Sequence, residues 1–292
     1  MATRDVVAIG CSAGGIEALP RILQQLPADL PASVLIVQHL ASDGPRYLAS
    51  MLANRTALRV VWADQGARIS PGCAYVAPPD VHFLVADGHV RLTRSARENH
   101  ARPSIDKLFR SVAAEYPGRA LGVLLTGMLD DGVAGLRAIR DAGGEIIVQD
   151  PDSAAYPDLP GRAVLALAPE RVLPIDAIGG SILALLAERA TPRAPSRELV
   201  LEASFDRQET VTPAAMDQLG TRTPIACPEC HGPMWQLGDD RGRRYRCYLG
   251  HVTTATQLVG ASTDEVEAAL WSAVRALHDR ALTLETLAGD AR

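Results

Sequence analysis

The sequence predicts an α/β fold: a doubly wound, mostly parallel sheet with helices on both faces, followed by a small Cys/His module and a C-terminal helix. Two observations carry this prediction. Short apolar runs alternate with helical patterns over residues 5 to 190, which is typical of successive βαβ units. Beyond residue 220, three cysteines and a histidine have a spacing typical of a metal site, and an amphipathic pattern follows them.

The first predicted domain spans residues 1–190. Its predicted elements, in chain order, are the strand VVAIG, the helix IEALPRILQQL, the strand SVLIVQ, the helix PRYLASMLA, the strands LRVVWA, CAYVAP, HFLVA and HVRLT, the helix IDKLFRSVAAEY, the strand LGVLLTG, the helix VAGLRAIRDAG, the strand EIIVQD and the helix AIGGSILALLAER. Asp87 and Gly88 separate HFLVA from HVRLT and predict a hairpin, which we expect to be inserted in the sheet.

Composition excludes several classes of protein. The chain is 47% apolar, as in globular proteins, and apolar stretches such as residues 182–187 are far shorter than the roughly 18 residues of a membrane span. The start, MATRDVVAIG, lacks the apolar centre of a signal peptide, so we expect a cytoplasmic protein without membrane insertion. The net charge of −5 and the scattered basic residues predict no nucleic-acid partner. We interpret the one basic cluster, Arg241, Arg243, Arg244 and Arg246, as a solvated hairpin.

Reactive side chains follow three of the predicted parallel strands. Ser12 follows VVAIG, His39 follows SVLIVQ, and Asp130 and Asp131 follow LGVLLTG. Because open α/β sheets build their crevices at the carboxyl ends of the strands, we expect these side chains to meet at one edge. Acyl transfer by a serine needs a nucleophile, a base and a carboxylate that orients the base. The residues alone leave open which aspartate has that role.

Other interpretations of the same residues remain. Ser12 at the start of a predicted helix is also a good N-cap, and the segment SAGG is suited to cradle a phosphate. Cys11 is a rival nucleophile, but neighbouring strand residues face opposite sides, so we expect its thiol to pack in the core. A nucleotide-binding oxidoreductase is disfavoured because GCSAGG lacks the G-x-G-x-x-G spacing.

Six segments resemble, in this order, the successive motifs of the catalytic domain of CheB-type chemotaxis protein-glutamate methylesterases. They are IGCSAGGIEAL, VLIVQHL, PGCAYVAPPDVHFLV, RPSIDKLFRS, LLTGMLDDGVAGL and VQDPDSAAYPDLP, covering about residues 5 to 180. The resemblance implies that Ser12 is the nucleophile, His39 the base and Asp131 the orienting carboxylate. Asp130 is then a neighbour that we expect to cap the helix beginning near Gly132.

The resemblance also implies the reaction. It is the hydrolysis of γ-glutamyl methyl esters on the cytoplasmic helices of chemoreceptors, which releases methanol, with glutamine deamidation as a related activity. Backbone N–H groups of Ala13, Gly14 and Met128 are expected to hold the oxyanion, and the chemistry needs no cofactor. The alternative function is a non-catalytic signalling scaffold or anion-binding module on the same fold, docking partners through its C-terminal part.

The sequence departs from the family pattern in three places. Ala13 stands where many relatives have Thr, and YPDLP stands where relatives commonly have Phe-Gly-Met-Pro. Relatives also usually carry a phospho-receiver domain ahead of the catalytic domain, whereas only five residues precede the first strand here. We therefore expect that no attached receiver switches this chain.

The remaining third of the chain is predicted to hold three segments. Residues 191–223 form a linker with one short strand at ELVLEA. Residues 224–258 form a zinc-ribbon-like module, in which Cys227, Cys230, Cys247 and His251 give the pattern C-x2-C-x16-C-x3-H of a tetrahedral structural zinc site. A hairpin turning at residues 238–240 would bring these ligands together. His231 is the alternative fourth ligand, and reduced thiols packing a small core with His251 unliganded are the alternative interpretation.

Residues 259–292 are predicted to contain an amphipathic helix from about 262 to 289. Six residues recur at alternating spacings of four and three, which is typical of a coiled-coil seam: Leu270, Val274, Leu277, Ala281, Leu284 and Ala288. Two of the six are alanines, so the seam is weak. A signalling partner or a second copy of the chain is the expected contact of this helix.

Overall fold

The computed structural model describes residues 3–41, 46–191, 193–208, 211–239 and 242–290. Within the last helix it describes no side chain at residues 262, 264, 265 and 288–290, so that of Ala288 in the predicted seam is not described. Asp240 in the predicted hairpin turn and Arg241 in the basic cluster also lie outside the described residues.

Seven strands of the described chain form one parallel sheet. They are β1 (Val6–Cys11), β2 (Ser33–Gln38), β3 (Arg59–Trp62), β4 (Cys73–Val76), β7 (Ala120–Leu124), β8 (Glu145–Gln149) and β9 (Val172–Leu173), in the order β3-β4-β2-β1-β7-β8-β9. Every neighbouring pair runs parallel. A parallel sheet needs both faces covered, and its central strands β1, β2 and β7 are accordingly buried throughout and mostly apolar.

Helices cover both faces of this sheet. One face carries α1 (Gly15–Leu23), α2 (Leu48–Ala53) and α6 (Ile175–Ala187), which pack against one set of strand side chains such as Val7 and Ile9. The other face carries α3 (Ile105–Glu115), α4 (Val133–Asp141) and α5 (Asp158–Leu167), which pack against the alternate set such as Val6 and Ala8. The predicted doubly wound α/β fold is confirmed. The helix α5 and the short strand β9 were not predicted.

The predicted hairpin forms, but not within the central sheet. Strands β5 (His82–Ala86) and β6 (His89–Thr93) pair antiparallel as a separate two-stranded sheet. The hairpin packs on α3, where the backbone N–H of Val85 donates to Ser111 Oγ at 3.0 Å and that of Gly88 donates to Glu115 Oε1 at 3.0 Å. The expectation of an inserted hairpin was therefore wrong, because these strands pack on a helix at the side of the sheet.

The predicted linker contains two helices instead of a strand. They are α7 (Arg197–Asp206) and α8 (Pro213–Met216). The side chain of Ser196 caps α7 by accepting from the N–H of Leu199 at 3.1 Å. The strand at ELVLEA was wrong because Glu202 and Asp206, four residues apart, form one buried charged face of α7 against α3.

The Cys/His module contains a four-stranded antiparallel sheet, followed by the C-terminal helix. The strands are β10 (Thr221–Ala226), β11 (Pro233–Leu237), β12 (Arg244–Cys247) and β13 (Val252–Thr254), and the helix is α9 (Ala255–Asp290). Strands β11 and β12 form the predicted hairpin. The interpretation of the basic cluster as solvated was wrong for two of its members, since Arg246 is 1% exposed and pairs with Asp206, and Arg244 pairs with Glu202.

Two general features concern the whole described chain. None of its helices combines the length and the apolar character that a membrane span requires. The division into residues 1–190, 191–223, 224–258 and 259–292 stays a prediction. We refer to residues 191–292 as the tail.

Candidate active site

The structure brings Ser12, His39 and Asp131 together. Ser12 follows β1, His39 follows β2 and Asp131 lies in the loop after β7. These strands are neighbours in the order β2-β1-β7, so their carboxyl ends adjoin. His39 Nδ1 lies 3.1 Å from Ser12 Oγ, and His39 Nε2 lies 2.7 Å from Asp131 Oδ2. The arrangement links a hydroxyl, an imidazole and a carboxylate in the order that acyl transfer uses.

The orientation of the His39 ring follows from its two partners. An ionised carboxylate only accepts hydrogen bonds, so Nε2 carries the proton and donates it to Asp131. Nδ1 then presents its lone pair to the Ser12 hydroxyl. In this tautomer His39 is ready to accept the hydroxyl proton.

Hydrogen bonds to their backbone atoms hold Ser12 and His39 in place. Gln38, at the end of β2 and 3% exposed, donates from Nε2 to the carbonyl oxygens of Ser12 at 2.8 Å and His39 at 2.9 Å. The N–H of Ser12 donates to Thr126 O at 3.0 Å, and that of His39 donates to Cys11 O at 3.1 Å. Sequence reasoning missed Gln38, although a polar residue that ends an apolar strand was a signal.

Ser12 is not the N-cap of α1. Gly14 holds that position, in a left-handed conformation with φ of 79° and with no side-chain cap. A side chain at Gly14 would be strained at this φ and would also lie 3.0 Å from Thr126 Oγ1. The Ser12 hydroxyl is therefore free of a capping role and faces His39.

Asp131 accepts hydrogen bonds from several directions at the N-terminus of α3. The donors besides His39 are Asn99 Nδ2 at 3.2 Å, Ser104 Oγ at 2.9 Å, Ile105 N at 2.7 Å and Asp106 N at 3.2 Å. Burial raises the pKa of Asp131, but the hydrogen bond and charge of His39 and the donors of α3 outweigh it, so the pKa lies below its usual value. The carboxylate thus stays ionised while buried.

Sequence reasoning missed two of these donors, Asn99 and Ser104. Ser104 is also the N-cap of α3, where its hydroxyl accepts from the N–H of Lys107. The sequence SIDK at this helix start carried the signal for the cap. Nothing in the sequence around Asn99 pointed to Asp131.

Asp130 does not cap α4, so that expectation was wrong. The N-cap of α4 is Gly132, with φ of 109° and no side-chain cap. The Asp130 carboxylate instead accepts from Gln257 Nε2 of α9 at 2.8 Å.

Cys11 packs in the core. Its side chain is 0% exposed among the residues that cover the α1 face of the sheet. Burial raises the pKa of the Cys11 thiol well above its usual value, so it is not a thiolate nucleophile.

Two of the predicted oxyanion donors, Ala13 and Gly14, follow Ser12 in the chain, and the third, Met128, lies in the loop after β7. In the part of the chain that the structure describes, the backbone N–H groups of Ala13, Gly14 and Met128 have no acceptor. The carbonyl of Ala13 accepts from Thr126 Oγ1 at 3.0 Å, which connects the two loops. Met128 is 55% exposed, so this loop borders solvent.

The ligand atoms of Cys227, Cys230, Cys247 and His251 form a tight cluster. They all lie within 4.8 Å of one another, and His231 does not belong to this group. Cys230 Sγ lies 3.7 Å from Cys247 Sγ, which lies 3.5 Å from His251 Nδ1. Tetrahedral zinc with Zn–S bonds of about 2.3 Å requires sulfur separations of about 3.8 Å. The four residues therefore fit a tetrahedral metal.

The parallel sheet thus carries a linked hydroxyl, imidazole and carboxylate at its carboxyl edge, an arrangement that serine hydrolases also have. The chain belongs to the CheB methylesterase family, whose sequence profile matches residues 7–182. The matched residues contain all three of these side chains, whereas the tail lies beyond them.

The relatives carry names in agreement with this family. The chain is 42% identical over 190 residues to protein-glutamate methylesterase/protein-glutamine glutaminase 4 of Anaeromyxobacter dehalogenans, covering 64% of this chain and 53% of that protein. It is 38% identical over 179 residues to protein-glutamate methylesterase FrzG of Myxococcus xanthus, covering 61% and 54%. The chain thus spans about half the length of the curated relatives it matches.

A solved structure has the same fold. The catalytic domain of the CheB methylesterase of Thermotoga maritima superposes with a TM-score of 0.60 at 30% identity, covering 63% of this chain and 100% of that domain.

Proposed function

We propose that this protein is a serine esterase that hydrolyses γ-glutamyl methyl esters on chemoreceptor-like proteins in the cytoplasm, releasing methanol. Deamidation of glutamine by the same site, releasing ammonia, is the related activity. The observation that supports this function is the hydrogen-bonded series Ser12, His39 and Asp131 in a chain of the CheB methylesterase family. A scaffold or anion-binding module on the same fold would not require these three side chains to be linked.

The proposed mechanism follows from the tautomer of His39. Nδ1 of His39 accepts the proton of Ser12 as Oγ attacks the ester carbonyl, and Asp131 stabilises the resulting imidazolium. The N–H groups of Ala13, Gly14 and Met128 are proposed to hold the oxyanion. His39 then protonates the leaving methoxide. A water molecule that His39 deprotonates attacks the acyl-serine, which releases glutamate and restores Ser12.

The nucleophile is tested by Ser12→Ala in the full chain. Methanol release from a glutamyl methyl ester should fall by roughly three orders of magnitude or more, because no other group replaces the hydroxyl. Ser50→Ala is the matched control, since Ser50 is an exposed serine on α2 and should leave turnover unchanged. Wild-type turnover in Ser12→Ala would refute the proposed mechanism, and a comparable loss in Cys11→Ala would transfer the role to the thiol.

We also propose that Cys227, Cys230, Cys247 and His251 hold a structural zinc ion with no part in the chemistry. A module of this size has little core of its own, so metal binding would supply much of its folding free energy. Purified protein should contain about one equivalent of zinc per chain, and Cys230→Ser should lower that content strongly. Metal-free protein whose module is ordered, measured by hydrogen exchange of β11 and β12, would contradict the site.

The helix α9 is the proposed contact for a partner. Its large apolar side chains Leu270, Val274, Leu277 and Leu284 are all exposed in the single chain. These four are among the six predicted seam residues. This exposure supports the prediction that α9 meets a signalling protein or a second copy of the chain.

A further inference from the structure

The Cys/His module docks directly on the segment that contains Asn99. The backbone N–H of Asn99 donates to the carbonyl oxygen of Val252 at 2.8 Å, and Glu98 forms a parallel bridge with Val252. Val252 begins β13 and follows His251, one of the four residues of the Cys/His cluster. His251 of the cluster is therefore the chain neighbour of the residue that contacts Asn99.

The side chain of Asn99 lies between two carboxyl groups. Its Nδ2 donates to Asp131 Oδ1 at 3.2 Å and to Asp106 Oδ2 at 3.0 Å. The opposite amide orientation would place Oδ1 against the ionised carboxylate of Asp131, so electrostatics fixes the NH2 group toward it. Asn99 is 4% exposed, and its Oδ1 is buried without a partner among the described atoms. The contact with Asp131 is thus formed at the cost of an unpaired acceptor.

The backbone at Asn99 needs external support. Asn99 and His100 both have left-handed conformations, with φ of 50° and 61°, which non-glycine residues rarely adopt. On one side the segment is held by Val252. On the other side Glu98, which is 0% exposed, binds Arg110 of α3 through both carboxylate oxygens at 2.8 and 2.6 Å.

The tail completes the surroundings of Glu98. Asp206 of α7 accepts from Arg110 Nη2 at 2.7 Å and from Arg246 Nη1 of β12 at 2.8 Å. Arg244 of β12 lies 3.8 Å from Glu98. Buried charges of this kind are stable only when paired, so the tail and the segment at Glu98 depend on each other.

We propose that the Cys/His module supports the catalytic carboxylate and that Asn99 is the positioning residue that connects them. The inference rests on the proposed function, since it concerns the same Ser12, His39 and Asp131. Contacts run from His251 through Val252 and Asn99 to Asp131, and from there through His39 to Ser12. Loss of the module's metal would release Val252, relax the strained backbone at Asn99 and remove one donor from Asp131. Turnover then depends on a metal that takes no part in the chemistry.

The first test is Asn99→Ala in the full chain, with a small glutamyl methyl ester as substrate. We expect kcat to fall about ten- to hundredfold with little change in KM, because the carboxylate is displaced while the substrate contacts remain. The His39 Nε2–H proton, hydrogen-bonded to Asp131, should give a downfield NMR signal that shifts or broadens in this variant. Asn54→Ala is the matched control, because Asn54 is the only other asparagine and is an exposed residue at the end of α2.

The second test perturbs the module and leaves Asn99 in place. Removal of the metal with a chelator, and separately Cys230→Ser, should reproduce the loss of kcat and the change in the His39 signal. Glu229→Gln is the matched control, since Glu229 also joins the module to the Asn99 segment, through His100 at 2.8 Å, but at an exposed position. It should leave both readouts at wild-type values.

These outcomes separate the inference from the proposed function. Metal-free protein with wild-type kcat and an unchanged His39 signal overturns the inference, whatever Asn99→Ala does. Wild-type values in Asn99→Ala overturn it as well. In either case turnover that still requires Ser12 leaves the proposed function intact, whereas turnover that is independent of Ser12 removes the proposed function itself.

Discussion

Asp130 and Asp131 are neighbours in the chain with different surroundings. Burial raises the pKa of both carboxyl groups. For Asp131 the contacts with His39 and the N-terminus of α3 outweigh burial, and its pKa is lowered. Asp130 lacks these contacts, so its pKa stays raised, and its carboxylate accepts a hydrogen bond from Gln257. Only Asp131 is thus held as a carboxylate that faces the imidazole.

Asp131→Asn should lower kcat on a glutamyl methyl ester by roughly three to four orders of magnitude. An amide has one acceptor atom, and the donors of α3 occupy it, so its NH2 group would face His39 Nε2. Nε2 would then have to accept a hydrogen bond, and the ring would change tautomer. Nδ1 would then carry a proton and could not accept that of Ser12. Asp130→Asn is the matched control, because its amide oxygen can still accept from Gln257. Equal losses in the two variants would contradict the assignment of Asp131.

At the residue scale, the sequence placed Ser12, His39 and the aspartate pair at one edge because each ends a parallel strand. It could not choose between Asp130 and Asp131, since the two are neighbours in one loop and only their contacts in the folded chain, with Gln257 and with His39, distinguish them. It also gave no indication of Asn99, whose contact with Asp131 joins loops 32 residues apart. The strand order predicts which strand ends lie side by side, whereas the loop conformations determine which side-chain atoms contact each other.

The helix α3 shows what apolar periodicity cannot predict. Its residues from Ile105 to Ala113 are all buried, including Asp106, Lys107 and Arg110. One side packs on the sheet, and the other is covered by α7. Because charged residues form part of the contact on both helices, the apolar residues of α7 give no helical period. This is why a strand was expected at ELVLEA.

Lys107 is the only lysine of the chain, and it is 0% exposed. Its Nζ donates to Ser95 Oγ at 2.9 Å and to Ala96 O at 3.2 Å, while the nearest carboxylate, Asp206, is 3.9 Å away. Burial lowers the pKa of Lys107 to about 8, against the opposing charges of Asp206 and Glu98. The charged form is thus destabilised in the folded state at neutral pH.

Lys107→Met should therefore raise the free energy of unfolding at pH 7 by about 1–3 kcal/mol. Both acceptors keep another partner, since His82 Nε2 donates to Ala96 O and Thr93 Oγ1 lies 3.3 Å from Ser95 Oγ. Between pH 8 and the usual pKa of 10.5 the unfolded wild-type chain binds the extra proton, so wild-type stability rises with pH. The advantage of the variant should shrink over that range in denaturant unfolding. A variant that is less stable at pH 7 would show that the charged amine is a net stabilising contact.

At the scale of the whole molecule, buried ion pairs join the tail to the first domain. Across this interface Arg110 pairs with Glu202 and Asp206, Lys107 lies 3.9 Å from Asp206, and Glu98 lies 3.8 Å from Arg244. The partners lie 96 residues apart in the pair of Arg110 and Asp206 and still further apart in the pair of Glu98 and Arg244. Sequence reasoning predicted both parts of the chain separately, but pairs over such distances leave no local pattern. It therefore missed that the tail packs beside the candidate site.

The interface should lose stability in acid, and Glu202 tests this. Burial raises the pKa of Glu202, but the charges of Arg110 and Arg244 outweigh it and lower the pKa from 4.5 to about 2. A lowered carboxyl pKa gives stability that is complete above the unfolded value of 4.5 and is lost as the pH falls toward 2. Glu202→Gln should accordingly be less stable than wild type by about 3 kcal/mol at pH 7, and the difference should approach zero near pH 2.

A comparison of two variants separates this effect from the acid release of the metal. Glu198 lies on the same helix but on its exposed side, and hydrogen bonds with its own backbone and with Ser196 lower its pKa. Because solvent screens this carboxylate, Glu198→Gln should deviate from the wild-type stability curve in the same direction as Glu202→Gln but by much less. Loss of the proposed zinc ion would lower the stability of all three proteins alike and would cancel in the differences. The measurement is denaturant unfolding between pH 2 and 7, with hydrogen exchange of α7 to locate the change. If Glu202→Gln runs parallel to wild type over the whole range, the ion pairs of Glu202 do not hold the tail in place.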